Sequence, residues 1–192
     1  DKTPEELLTT ENWAAAEAGD ETAKEAQRVN QQVGLLLQTA ATVADDGDES
    51  TDISVSLAKQ VATEISEIAV SDEGIDLTSS DTLTTVLSEA VAEVAPEVVV
   101  EDAAIAAVAS SVATVNTVVA DPTLDPLSDV AAEIVESAQE ELQTSVADVV
   151  SGEVSVEAFE DATDTTELFS EVELTVDALD TDGDGIADAL DT

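Results

Sequence analysis

The sequence predicts an all-α fold: a bundle of five to seven helices packed around one central helix that carries no charge. Three observations lead there. Apolar residues recur at intervals of three and four in most segments, which places them on one face of a helix. The stretch Ala103–Ala120 contains no charged residue at all. Finally, 43% of the chain is hydrophobic, yet it has one Trp, two Phe and no Tyr. A core of Ala, Val, Leu and Ile has no large ring to fill space, so its helices must approach closely.

In chain order, Thr3-Pro4-Glu5-Glu6 is a helix start: Thr3 caps, Pro4 suits the first helical position and Glu6 completes a capping box. The first helix should run to about Ala18, with Leu7, Leu8 and Trp13 turned inward, and Gly19 should end it. Asp20 caps the second, near Glu21 to Ala44, whose predicted inner face is Val29, Val33, Leu36, Leu37, Ala40 and Val43. Asp45–Glu49 breaks the pattern as a hydrated turn, with a weak cation site as the sharper alternative. From Thr51 or Asp52 to about Val70, Ile53, Leu57, Val61, Ile65 and Ile68 return at helical spacing. Glu73–Leu77 reads as a loop. Ser80 or Asp81 caps a fourth helix that buries Leu83, Val86, Leu87, Ala90, Val91 and Val94, and Pro96 marks a break or the first turn of the next.

The uncharged stretch follows, with Ile105, Val108, Val112, Val115 and Val119 in helical register. About 20 apolar residues suffice to cross a bilayer. Here Ser110, Ser111, Thr114, Asn116 and Thr117 interrupt the run, and no Lys or Arg flanks it to orient insertion. A helix packed by neighbours on several sides is the expectation, and not a membrane span. Asp121-Pro122 and Asp125-Pro126 then form a stiff connector. A long helix from about Leu127 to Val150 carries Val130, Ile134, Val135, Ala138, Leu142, Val146 and Val149 inward, and Gly152 closes it. Ser155 to Ala162 reads as a short helix. Thr166 to Leu179 suits either helix or extended chain.

Forty-six acidic residues face four basic ones in 192 residues, a formal charge of −42. Lys2, Lys24, Arg28 and Lys59 are the only cations, so no ordinary salt bridge is expected for residues beyond Lys59. The face bearing Lys24 and Arg28 is expected to meet acidic neighbours. Such a charge repels itself unless salt or divalent ions screen it. Calcium-bearing extracellular water and a salt-rich cytoplasm both fit. Nucleic acid is excluded as a partner, because binding it needs basic residues against phosphates. There is no cysteine, so no disulfide framework and no thiol chemistry.

The sharpest chemical pattern is Asp180-Thr-Asp-Gly-Asp-Gly-Ile-Ala-Asp-Ala-Leu-Asp191. Calcium takes about six to eight oxygen ligands, and a loop with this spacing delivers them in one wrap. Asp180, Asp182 and Asp184 give side-chain oxygens and Ile186 its main-chain carbonyl. Asp188 ligates directly or through water, Asp191 closes the ring, and Gly185 permits the bend. The stretch resembles an EF-hand loop with Asp in place of the closing Glu. It is still more similar to a thrombospondin type-3 repeat, with all twelve positions matching. The chain thus divides into an acidic helical domain, residues 1–176, and an Asp-rich repeat or linker, residues 177–192.

Glu5-Glu6-Leu7-Leu8-Thr9-Thr10, Arg28-Val29-Asn30-Gln31-Gln32-Val33 and Ile75-Asp76-Leu77-Thr78-Ser79 resemble helical modules of very large, repetitive bacterial surface proteins of marine and cyanobacterial type. The resemblance implies adhesion, a surface coat or a fibre, located outside the cell and held by calcium, with homo-oligomer or filament neighbours as partners. No enzyme is expected. His and Cys are absent, no glycine-rich phosphate loop is present, and Trp13, Phe159 and Phe169 are too few to wall a substrate cleft.

Overall fold

The computed structural model describes residues 10–44, 54–69, 76–164 and Leu168 of the chain. Seven helices and no strand occur among the described residues: α1 Thr10–Glu17, α2 Glu21–Val43, α3 Ser54–Ala69, α4 Ser80–Val94, α5 Asp102–Ala120, α6 Asp129–Val150 and α7 Val156–Ala162. The all-α bundle expected from the periodicity is therefore present, at the upper end of the expected helix number. The start of the first helix, with Leu7 and Leu8, and the Trp13 side chain lie outside the described residues, as do the Asp45–Glu49 turn, Ile53, and Glu73, Gly74 and Ile75.

Helix α5 is the hub and packs against α2, α4, α6 and α7. Its Ile105, Val108, Val112, Val115 and Val119 are buried, together with Ala104, Ala107, Ala109 and Ala113 between them. Small side chains let neighbouring backbones come close on several sides, which is how a core forms without aromatic rings. By length and composition α5 is also the one described helix apolar enough to cross a membrane, and 67% of its most apolar window is buried inside the bundle. Phe159 of α7 supplies the one large ring in the described core.

Capping follows the side-chain chemistry of the turns. Asp20, Ser79, Ser128 and Ser155 accept hydrogen bonds from the main-chain N–H three residues ahead, at Ala23, Thr82, Ala131 and Ala158. The cap of α4 is thus Ser79, one residue before the expected Ser80 and two before the alternative, Asp81. Asp76 occupies the turn just upstream, taking the Thr78 main-chain N–H at 2.9 Å and its hydroxyl at 2.6 Å. Pro96 proves to be a break: α4 stops at Val94 and α5 starts only at Asp102. Gly19 and Gly152 end α1 and α6 with φ of +87° and +75°, a region where a Cβ is disfavoured.

Several expectations about burial change: Val94 of α4 and Val130 and Val135 of α6, expected to face inward, are only partly buried. In α2 the inner face is turned towards Arg28, Gln32, Leu35, Leu36, Thr39, Ala40 and Val43. Val29 is left 40% exposed, and Val33 and Leu37 are only partly buried. In α3, Leu57 and Val61 are fully buried as expected and Ile65 and Ile68 are partly so. Glu64 joins them at 7% exposure, its carboxylate receiving the Gln60 amide at 2.6 Å.

Candidate functional site

The six predicted calcium ligands, Asp180, Asp182, Asp184, Ile186, Asp188 and Asp191, lie outside the described residues, as does the 176/177 domain boundary. As a donor set they suit the ion. Five carboxylates and a carbonyl are hard oxygen ligands, the type calcium takes and soft metals do not favour. Among the described residues no group of three or more acidic side chains stands close enough to hold a metal ion. Asp76 is held where hydrogen bonds favour its charged form. The Thr78 hydroxyl, and then the Thr78 main-chain N–H, hold its carboxyl below the usual carboxylate range.

What the bundle does bring together is a polar seam between α2 and the connector at residues 121–127. One turn of α2 after another faces this connector. Lys24 Nζ lies 3.7 Å from Asp125 Oδ2. Arg28 Nη2 donates to the carbonyls of Pro122 at 3.4 Å and Leu124 at 3.2 Å, while Nη1 reaches Glu25 Oε2 at 3.2 Å. Gln31 Nε2 donates to the Pro126 carbonyl at 3.0 Å. Gln32 Nε2 donates to the main-chain carbonyl of Asn116 at 2.9 Å, and Asn116 Nδ2 continues the chain of contacts to the Leu77 carbonyl at 2.7 Å.

The connector itself is held in two successive turns. Asp121 Oδ1 accepts the Thr123 main-chain N–H and hydroxyl, each at 2.6 Å. Asp125 Oδ1 accepts the Leu127 N–H at 3.1 Å. The Asp125 main-chain carbonyl accepts both the Ser128 N–H, at 2.9 Å, and the Ser128 hydroxyl, at 2.7 Å.

This seam corrects the expectation that residues beyond Lys59 lack salt bridges. Asp125 pairs with a cation about a hundred positions earlier, because α2 lies along the connector. The sequence signal was the spacing Lys24, Arg28, Gln31 and Gln32, which puts four donors on one side of a helix. Asn116 was legible only as an interruption of an apolar run.

The seam also sets the surface charge. Lys24 is mostly covered and Arg28 is buried, so two of the three cations among the described residues face inward. Among the acids whose side chains are described, Glu64 alone is buried. The outer surface is therefore left acidic, with little internal compensation. Comparison of the chain with protein-family models, with curated proteins and with solved structures finds no match.

Proposed function

We propose that this chain is an extracellular structural and interaction module of a bacterial surface or filament protein, of the adhesin kind, made rigid by calcium. The observation that carries the proposal is the twelve-residue aspartate pattern from Asp180 to Asp191, whose spacing supplies a full set of oxygen ligands. The seam supports it indirectly. With Lys24 and Arg28 engaged inside the bundle, the neutralisation of 46 acidic side chains falls to ions from the medium. An ion that binds only the folded form stabilises it by RT ln(1 + [L]/Kd), about 2.7 kcal/mol at a hundredfold excess over Kd.

Calorimetric titration with calcium, with circular dichroism before and after chelation, tests this reading. An extracellular module should bind with Kd of about 0.1–1 mM, whereas a calcium sensor or buffer should bind below about 10 µM. Asp182→Ala combined with Asp184→Ala should abolish the heat, and heats equal to the parent's would refute the ligand assignment. If high KCl with chelator restores the fold as fully as calcium does, the charge is an adaptation to salt and the chain belongs in a salt-rich cytoplasm.

A further inference from the structure

We propose that the outer face of the α2–α3 pair is a self-association surface, through which two copies of this chain meet about a two-fold axis. The first observation is where carboxylates are missing. In the whole chain 46 of 192 residues are acidic. Helices α2 and α3 pack together, and across their described residues 26–44 and 54–66 the one acid is Glu64, which is buried. Residues 45–53, which join the two helices and carry five acids in the sequence, lie outside the described residues. Helix α5 is uncharged as well from 103 to 120, but there burial is the reason, because it is the hub of the bundle. Burial gives no such reason on an outer face.

The same face carries apolar groups and a notch. Val29 is 40% exposed and Val55 76%, two of the three large hydrophobic residues exposed among those described. Val33 and Leu37 follow Val29 at one-turn intervals and are half-buried. Lys59, one turn after Val55, is the described cation that faces solvent. Gly34 stands in the interior of α2, where nothing lies within 4 Å of the place a Cβ would take and φ is not positive. A mid-helix glycine weakens a helix relative to alanine. Neither backbone geometry nor crowding inside this chain calls for it, whereas a helix approaching from outside comes closer where the Cβ is missing.

Charge selects a second copy as the occupant. Like charges set against each other across an interface are costly, so two copies this acidic meet best where neither presents a carboxylate. A two-fold pairing sets this face against itself and turns the acidic remainder outward. A basic partner would prefer the acidic sides, and a strongly acidic one would find only Lys59. A stripe of about four turns on each helix is smaller than a standard interface of about 20–30 residues a side, so the pair should be reversible and weak. Residues 177–192 take no part, which makes the association independent of the calcium reading.

Sedimentation equilibrium of the full chain in chelator, from about 0.05 to about 1 M NaCl, tests it. The expected result is a monomer–dimer equilibrium with Kd of about 10–100 µM at the highest salt, tightening by about tenfold across the series as screening removes the repulsion between copies. Val55→Glu and Val99→Glu each add one negative charge at an exposed valine, and Val99 lies off this face. The first should weaken the dimer about tenfold or more, and the second should leave Kd within about twofold. Gly34→Ala should raise the urea midpoint of the dilute monomer and still weaken the dimer, two opposite signs that loss of fold cannot produce. A chain that stays monomeric at high salt and high concentration would overturn the proposal, as would a dimer that salt dissociates or equal effects of the two glutamates. So would a dimer that forms only when Leu7 and Leu8 are changed to Asp, because the occupant would then be this chain's own N-terminal segment.

Discussion

Replacing Arg28 by Met asks how much the seam contributes to the fold. Methionine retains most of the buried stem and deletes the guanidinium, so the comparison isolates the polar contacts. Those contacts are two hydrogen bonds from a charged donor to the carbonyls of Pro122 and Leu124, at 3.4 and 3.2 Å, on a side chain 5% exposed. A hydrogen bond to a charged group contributes about 1.5–3 kcal/mol net, and these distances belong at the lower end. The Glu25 contact adds little, because that carboxylate is 67% exposed and an exposed pair contributes about 0–1 kcal/mol. Desolvation of the guanidinium offsets part of the sum, since Arg28 Nε has no protein partner. The expected loss is about 3 kcal/mol, a large share of an ordinary domain's 5–15 kcal/mol. Urea unfolding at fixed calcium and fixed ionic strength measures it. With a slope of about 2 kcal/mol per molar urea, the midpoint should fall by about 1.5 M without a change in slope. Repeating the pair of curves in molar NaCl should leave the difference nearly intact, because buried contacts are poorly screened. Lys59→Met, at an exposed position on α3, is the control and should stay within about 0.5 kcal/mol of the parent. Equal midpoints for Arg28→Met and Lys59→Met would refute the view that the seam holds α2 to the connector.

Two further outcomes follow from the geometry. Asn116→Ala removes the amide that satisfies the Leu77 carbonyl inside the core, and should cost about 2–3 kcal/mol in the same urea assay. Asp76 has its carboxyl held down by the Thr78 hydroxyl and main-chain N–H, so its stabilising effect is present above the ordinary carboxylate pKa and disappears as pH falls through the lowered one. Thr78→Ala should therefore raise the Asp76 titration seen by carbon NMR. The stability difference between variant and parent should be constant above about pH 5 and vanish in strong acid. An unmoved titration would show that the hydroxyl contact is not the cause.

Much of the bundle could be read directly from residue spacing. Most inner positions of α4, α5 and α6 are those the three-and-four periodicity selected, Val94, Val130 and Val135 being only partly buried, because these helices meet apolar neighbours and hydrophobic burial has no directional requirement. Helix α2 is the instructive exception. Its periodic residues Val29 and Val33 are turned partly outward, while Arg28 and Gln32 are buried. Periodicity alone counts a polar residue as outward. Here the carbonyls of the connector and of Asn116 satisfy most of those donors, which offsets much of the cost of burying them. The candidate calcium loop stands on ligand chemistry and spacing, which a sequence displays completely. The seam stands on residues about a hundred positions apart.

Local chemistry by itself therefore determined most of the helices, the Asp20 cap, the glycines that close α1 and α6, and the acidic excess that calls for counterions. Each depends on contacts within a few residues or on composition alone. Only the tertiary structure decided that two of the few cations face inward and that Asp125 has a lysine beside it. Only there does the Asp-Pro connector acquire donors on both sides. Those facts arise because packing α2 along α5 and α6 brings its polar edge against the chain that joins them, and no local rule specifies which loop a helix edge will meet.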